Sequence, residues 1–311
     1  MIPSFNRNIF VYFRQKDEIF ILARNMLTKI LYTSKMETKL FFGHLVNKMP
    51  DLQEVVMDFK LSKAHLLQQE LYRRFAENEI RPLAREMDES ESYNMELLAK
   101  MKRYGFFGIP YAREYGGAGS DTLAYTLCME EISKVDASSG ITISVHTSLC
   151  CSCINDFGTE EQKRNYLTPL INGEKIGCYG LTEPNAGSDA AGQQTVAVRD
   201  GDDYVITGSK VFTTNSGFAD TFVMFALTDR SIGTKSMTAF IVDRNAPGLT
   251  VSADIPRMGI RAASNCVVTY DHVRVPAANV LGKEGQGFKI AMKALDGGRI
   301  GIAAQSVGIA Q

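Results

Sequence analysis

Residues 179–189 read Tyr179-Gly180-Leu181-Thr182-Glu183-Pro184-Asn185-Ala186-Gly187-Ser188-Asp189. The run begins apolar and then gathers Thr, Pro, Asn, Gly, Ser and Asp, the pattern of a strand end running into a structured loop. Such a loop offers backbone N–H groups and hydroxyls to a polar ligand, and glycine lets the ligand come close. An ordinary turn has the same composition. A phosphate-binding loop is excluded. Gly187 and Gly192 have its outer spacing, but Gln193-Gln194 stands where Lys-Ser/Thr is required. No G-x-G-x-x-G follows a strand in a βαβ unit, which disfavours a dinucleotide fold.

On the C-terminal side, Ser209-Lys210-Val211-Phe212-Thr213-Thr214-Asn215-Ser216-Gly217 closes a strand with an aromatic, two threonines and a turn. Phe212 and Thr214 lie two residues apart and share a strand face, so they can cover a flat ring and donate to its edge. A half-buried hairpin fits almost equally well. Around these motifs, Tyr204–Thr207, Lys210–Thr213, Thr221–Leu227, Met237–Val242, Leu249–Ser252 and Cys266–Tyr270 are short β-rich runs. Turn formers such as Asp200-Gly201-Asp202 and Thr207-Gly208-Ser209 separate them, which predicts a sandwich or barrel. On the N-terminal side the period is helical. Leu67, Leu71 and Phe75 recur at i, i+4, i+8, Asn94 caps a second helix that stops near Gly105, and Thr159–Gln162 is a capping box. Glu114–Asp121 is a glycine-rich loop between helices. Beyond Gly285 the helical period returns and reaches Gln311, leaving Leu295, Ile302 and Val307 without a downstream partner. Within it, Asp296-Gly297-Gly298-Arg299 places paired glycines in a helix. Each costs about 1 kcal/mol against Ala, which suggests a close neighbour. Asp296 and Arg299 at i, i+3 form a surface pair or meet a ligand.

The chain has 311 residues, 45% hydrophobic and 22% charged, ordinary for a globular protein with room for two domains. Lys+Arg total 34 and Asp+Glu 35, so no net charge draws the chain to nucleic acid or an anionic membrane. No run reaches the ~18 consecutive apolar residues of a membrane span. Six cysteines are too sparse for a disulfide scaffold; Cys150 and Cys153, inside the apolar run Ile141–Ile154, read as free thiols on a buried helix in a reducing compartment. The four histidines lack ligand spacing, which disfavours a metal site. Residues 1–56 carry eight Lys/Arg against five Asp/Glu and few serines. They fit a secretory or transit signal poorly and read as an atypical extension, or as sequence upstream of a start at Met57, which is favoured.

Taken together, these stretches resemble the acyl-CoA dehydrogenase family, most closely its bacterial short-chain, butyryl-CoA type. The matching runs are Phe75–Glu79, Glu114–Gly119, the Tyr179 loop, Gly208–Asn215, the Gly259–Ser264 run and Leu295–Gln311, in family order and over about four-fifths of the chain. The resemblance implies an α+β fold. Residues 57–173 would form an N-terminal helical domain, 174–284 a middle β-barrel domain, and 285–311 the first helix of a C-terminal helical domain. It implies FAD as cofactor, short-chain acyl-CoA as substrate and electron-transfer flavoprotein as partner. A glutamate would take the α-proton while the β-hydride goes to the flavin, giving trans-2-enoyl-CoA. Hydrogen bonds to the thioester carbonyl bring the α-C–H within reach of a carboxylate.

Carried over by motif, Tyr179, Leu181 and Thr182 resemble positions that meet the isoalloxazine. Ser188 resembles the serine shared by FAD and the CoA moiety. Phe212 and Thr214 resemble the pair covering the ring, with Phe212 where the family often has Trp. Asp296 and Arg299 resemble substrate contacts. The catalytic glutamate of the short-chain type is expected beyond Gln311. Gly298 occupies the position that carries it in some relatives, and Glu284 matches neither. The chain is therefore expected to be a C-terminally truncated, catalytically impaired form of a protein that is homotetrameric when complete, cytoplasmic in a bacterium or in the mitochondrial matrix of a eukaryote. Two alternatives are a non-catalytic CoA-ester-binding or interaction fragment, and an acyl-CoA oxidase, against which the short-chain-like motifs argue.

Overall fold

A computed structural model describes residues 60–311; the extension read over residues 1–56 lies outside them. Helix α1, Lys63–Phe75, starts where the Ser62 hydroxyl accepts from the His65 amide. It buries Tyr72 and Phe75 but leaves Leu67 and Leu71 exposed, so the i, i+4, i+8 spacing located the helix and, of its three residues, placed only Phe75 on the buried face. A wide π-type turn, Ala76–Ile80, leads into α2, Arg81–Ser90. In α3, Met95–Arg103, Asn94 Oδ1 accepts from the amides of Glu96 and Leu97, both at 3.0 Å, satisfying two of the orphan donors at the helix start. Helix α4 spans Thr122–Ser133.

The segments α5 (Ala137–Ser144), a π-type turn (Val145–Cys151) and α6 (Ser152–Phe157) join into one 21-residue rod. Among the described residues this is the one helix long and apolar enough to cross a membrane, and 78% of its most apolar window is buried inside the protein, as in a core helix. It carries Cys150, Cys151 and Cys153, which are free and buried as expected. Short helices α7 (Glu160–Gln162) and α8 (Thr168–Ile171) follow. The Thr159–Gln162 capping box is present, and Gln162 also donates from Nε2 to the carbonyls of Ala278 and Val280, at 2.8 and 2.9 Å. One residue thus closes a helix start and ties it to the sheet.

Among the described residues the sheet has eight strands: β1 Gly177–Gly180, β2 Val196–Asp200, β3 Asp203–Thr214, β4 Thr221–Leu227, β5 Met237–Asp243, β6 Leu249–Val251, β7 Asn265–Pro276 and β8 Val280–Leu281. Its order is β6-β7-β3-β2-β4-β5-β8, with β1 parallel to β4 off this path. Strand β4 is buried along its whole length, and its side chains alternate between two cores. Phe222, Met224 and Ala226 belong to the core that also holds Leu97, Met101 and Phe106 of the helical layer. Val223, Phe225 and Leu227 belong to a second core with Cys150, Ile154, Leu170 and Ile290, Ala291 and Ala294 of the final helix. A strand covered on both faces needs a continuous apolar run, and Thr221–Leu227 supplies it.

The turn read at Thr207-Gly208-Ser209 is not a turn. Asp203–Thr214 is a single strand whose pairing with β7 shifts register between Ile206 and Gly208 and again between Lys210 and Thr213. Gly208 sits at φ +151 with Thr195 Oγ1 2.4 Å from where a Cβ would stand, so glycine marks a bulge.

The final helix α9, Gly287–Ala310, lays small residues against α4, the rod and β5. A Cβ on Gly298 would stand 2.8 Å from Leu149, one on Gly301 2.3 Å from the Tyr125 hydroxyl, and one on Gly308 2.4 Å from the Glu130 carbonyl. Gly297 has open space around it. The glycine pair is thus half explained by close packing. Leu295, read as unpartnered, packs against the second core, while Ile302 and Val307 are exposed.

These contacts give two expectations. Gly297→Ala should stabilise the fold by about 1 kcal/mol, whereas Gly301→Ala should destabilise it by about 1–3 kcal/mol through the Tyr125 clash, both read from urea denaturation. His146 lies wholly buried on the rod. Its Nδ1 accepts from the Gly177 amide at 3.0 Å, so the ring proton sits on Nε2, 3.3 Å from the Cys151 sulfur. Burial pulls its pKa down from 6.5 to about 3. The unfolded chain therefore takes up this proton first, and stability should fall as pH drops from about 6.5 towards 3. At pH 5 this is worth about 2 kcal/mol, and His146→Gln should flatten that slope.

Candidate functional site

The loop after β1 is built on a buried ion pair. Lys210, on the inward face of β3, is fully buried, and its Nζ donates to Glu183 Oε1 at 2.7 Å, Gln193 Oε1 at 3.1 Å and the Leu181 carbonyl at 3.3 Å. An ammonium has three protons, and here each finds an acceptor. Glu183 in turn accepts from the amides of Gln194 (2.6 Å) and Thr195 (3.1 Å). Gln193 Nε2 adds a second donor to the Leu181 carbonyl at 2.9 Å. Burial lowers the Lys210 pKa to about 8, with Glu183 opposing. Burial would raise that of Glu183, but Lys210 and the two amides outweigh it and hold the carboxyl below its ordinary value. Between these anchors, Glu183 and Ala186 exchange backbone hydrogen bonds across the Pro184-Asn185 turn.

The loop lies beside the second motif, because the Val211 amide donates to the Thr182 carbonyl at 2.8 Å. There the strand breaks its pleat. Phe212 adopts φ +53 and Asn215 φ +70, bracketing Thr213-Thr214. A left-handed aromatic costs of order 1–3 kcal/mol and persists only where its surroundings over-determine it. The bulge turns the Phe212 ring outward, 61% exposed, with Thr214 half-buried and Thr213 buried between them. Thr213 Oγ1 and Asn215 Oδ1 are buried without a hydrogen-bond partner.

Of the residues read from sequence, Thr182 lies on the loop, and its carbonyl bonds the Val211 amide, one residue before Phe212 and three before Thr214. Ser188 is exposed on the same loop. Tyr179 and Leu181 point into the second core. Tyr179 stacks edge-on against Phe225 at 5.2 Å and donates to the Ala291 carbonyl of α9, so the side chains of these two serve the core. Asp296 and Arg299, further along α9, pair with each other at 3.0 Å on the surface. Sequence reading missed Lys210, Glu183 and Gln193 as a unit. The signal was a lysine in phase with the buried Tyr204 and Ile206.

An exposed aromatic at a strained backbone position, half-buried hydroxyls and an unpartnered buried Thr213 hydroxyl suit a flat heteroaromatic ring with acceptors on its edge. An isoalloxazine fits that set. Family models match the sequence over residues 62–174 (acyl-CoA dehydrogenase, N-terminal domain) and 178–273 (middle domain). The chain belongs to the acyl-CoA dehydrogenase family. Its relatives include the short-chain specific acyl-CoA dehydrogenase of Clostridium acetobutylicum, 56% identical over 255 residues, covering 82% of this chain and 67% of that protein. The solved butyryl-CoA dehydrogenase of Megasphaera elsdenii superposes with a TM-score of 0.80 at 45% identity, over 82% of this chain and 67% of that one. A chain in the structure described as an electron transferring flavoprotein of Acidaminococcus fermentans gives 0.80 at 47% identity, with the same coverage. The chain thus spans about two-thirds of the length of these flavoprotein oxidoreductases.

Removing one partner of the ion pair strands the other. Lys210→Met alone should cost about 3–5 kcal/mol, while Lys210→Met with Glu183→Gln should recover most of that loss in denaturant titrations.

Proposed function

We propose that this chain forms the flavin- and thioester-binding body of an enzyme that dehydrogenates short-chain acyl-CoA to trans-2-enoyl-CoA and passes the electrons to an electron-transfer flavoprotein. The observation that carries the reading is the Val211–Thr182 backbone contact, which sets the Thr182 loop against the Phe212–Thr214 turn. Thr182 and Thr214 would hold the edge of the flavin ring of FAD, Phe212 would cover its face, and Ser188 would reach the phosphate-bearing parts of cofactor and substrate. Bound there, FAD supplies the acceptor for the hydride that leaves the β-carbon. The 56% identity with a short-chain specific enzyme supports the substrate class.

The α-proton needs a carboxylate, and the acidic side chains of the motifs read above each have a partner. Glu183 is locked to Lys210, Glu284 accepts from the Tyr204 hydroxyl at 2.7 Å, Asp296 holds Arg299, and Asp189 accepts from the Ala191 amide. At Gly298, Leu149 fills the space a side chain would need. This distribution supports the reading that the residues described here bind and orient the thioester but do not deprotonate it efficiently.

A visible spectrum of the purified 311-residue chain, taken before and after anaerobic butyryl-CoA, tests both parts. The expected result is a flavin band that bleaches slowly or not at all. A colourless protein would contradict the flavin reading. Rapid, complete bleaching would contradict the missing base.

A further inference from the structure

Lys210 and Glu183 are the most deeply buried ion pair in the described structure, and neither is needed for the chemistry just outlined. A buried pair of this kind seldom stabilises a fold more than apolar side chains of the same volume would. What it adds is direction. The ammonium's three acceptors and the carboxylate's two amide donors all belong to residues 181–195, the loop that carries Thr182 and Ser188, while the ammonium itself is rooted in β3 two residues before Phe212. Gln193 closes the ring by bonding both Lys210 and the Leu181 carbonyl. No apolar replacement can fix five backbone and side-chain positions in this way.

We propose that Lys210, Glu183 and Gln193 are positioning residues for the flavin: a clasp that sets the distance between the Thr182 loop and the Phe212–Thr214 turn, and so pre-forms the edge on which the ring rests. This rests on the flavin reading above. Preorganisation acts on affinity by removing the cost of ordering the loop when the ligand arrives. The loop is otherwise short of anchors. Between Pro184 and Asp189 only Ala186 is buried, and a Cβ added at Gly187 would meet nothing within 4 Å. Without the clasp, the segment would have to be ordered by the cofactor.

The test uses the full chain. Wild type and the Lys210→Met/Glu183→Gln double variant are stripped of flavin and titrated with FAD, following the visible band and thermal unfolding together. The expected result is a double variant with a near-wild-type melting temperature, FAD affinity weakened about tenfold or more, and a flavin band closer in shape to free FAD. A purely structural role would lower the melting temperature and leave affinity of the folded fraction unchanged, which would overturn the proposal. Should the double variant not fold, Gln193→Leu carries the same decision, since it removes one neutral member of the clasp; unchanged affinity and band shape there would overturn it. Wild type that takes up no FAD would overturn this inference together with the flavin reading, whereas flavin-loaded wild type beside an unaffected variant overturns this inference alone.

Discussion

A lysine with no exposure to water, neutralised by one carboxylate, is the constraint around which the middle of this protein is arranged. An isolated ammonium cannot remain charged in such a place; it is held only because Leu181, Glu183 and Gln193 converge on it. That convergence dictates the path of the chain from β1 to β2. It also explains why an acidic residue can stand buried in a loop that, Ala186 apart, is exposed from Pro184 to Asp189.

Outside this centre, the fold is held by close approach. The rod Ala137–Phe157 lies between the sheet and α9, and α9 comes near enough to exclude a Cβ at Gly298, Gly301 and Gly308. His146 links the rod to the first residue of β1, in a π-type turn whose wider spacing sets Cys151 beside its ring. The site thus rests on a strand pinned from behind, through Tyr179 to α9 and through His146 to the rod, and from within, through Lys210.

Much of this was legible in the sequence where one physical rule dominates. Asn94, Thr159 and Gln162 announce their helix starts because capping needs only local geometry, and the run Thr221–Leu227 announces a strand, though not its burial on both faces. The rules failed where tertiary packing decides. Leu67 and Leu71 have helical spacing but face solvent, while Tyr72 is buried. Gly208 has the composition of a turn and the role of a bulge, because the pressure on it comes from Thr195 across the sheet. The two motifs were legible as neighbours only in part: the Thr182 carbonyl and the Val211 amide do bond, but the contact lies beside Lys210, whose polar side chain hid a buried position that its phase with Tyr204 and Ile206 marks. Asp296 and Arg299, adjacent in motif, remain a surface pair.

The most direct test of this account is amide hydrogen exchange on the full chain with and without FAD. The account predicts that residues 181–189 and 211–215 gain protection together on adding FAD, while α1–α3 exchange as before. Protection confined to the helical layer, or appearing in only one of the two segments, would contradict it.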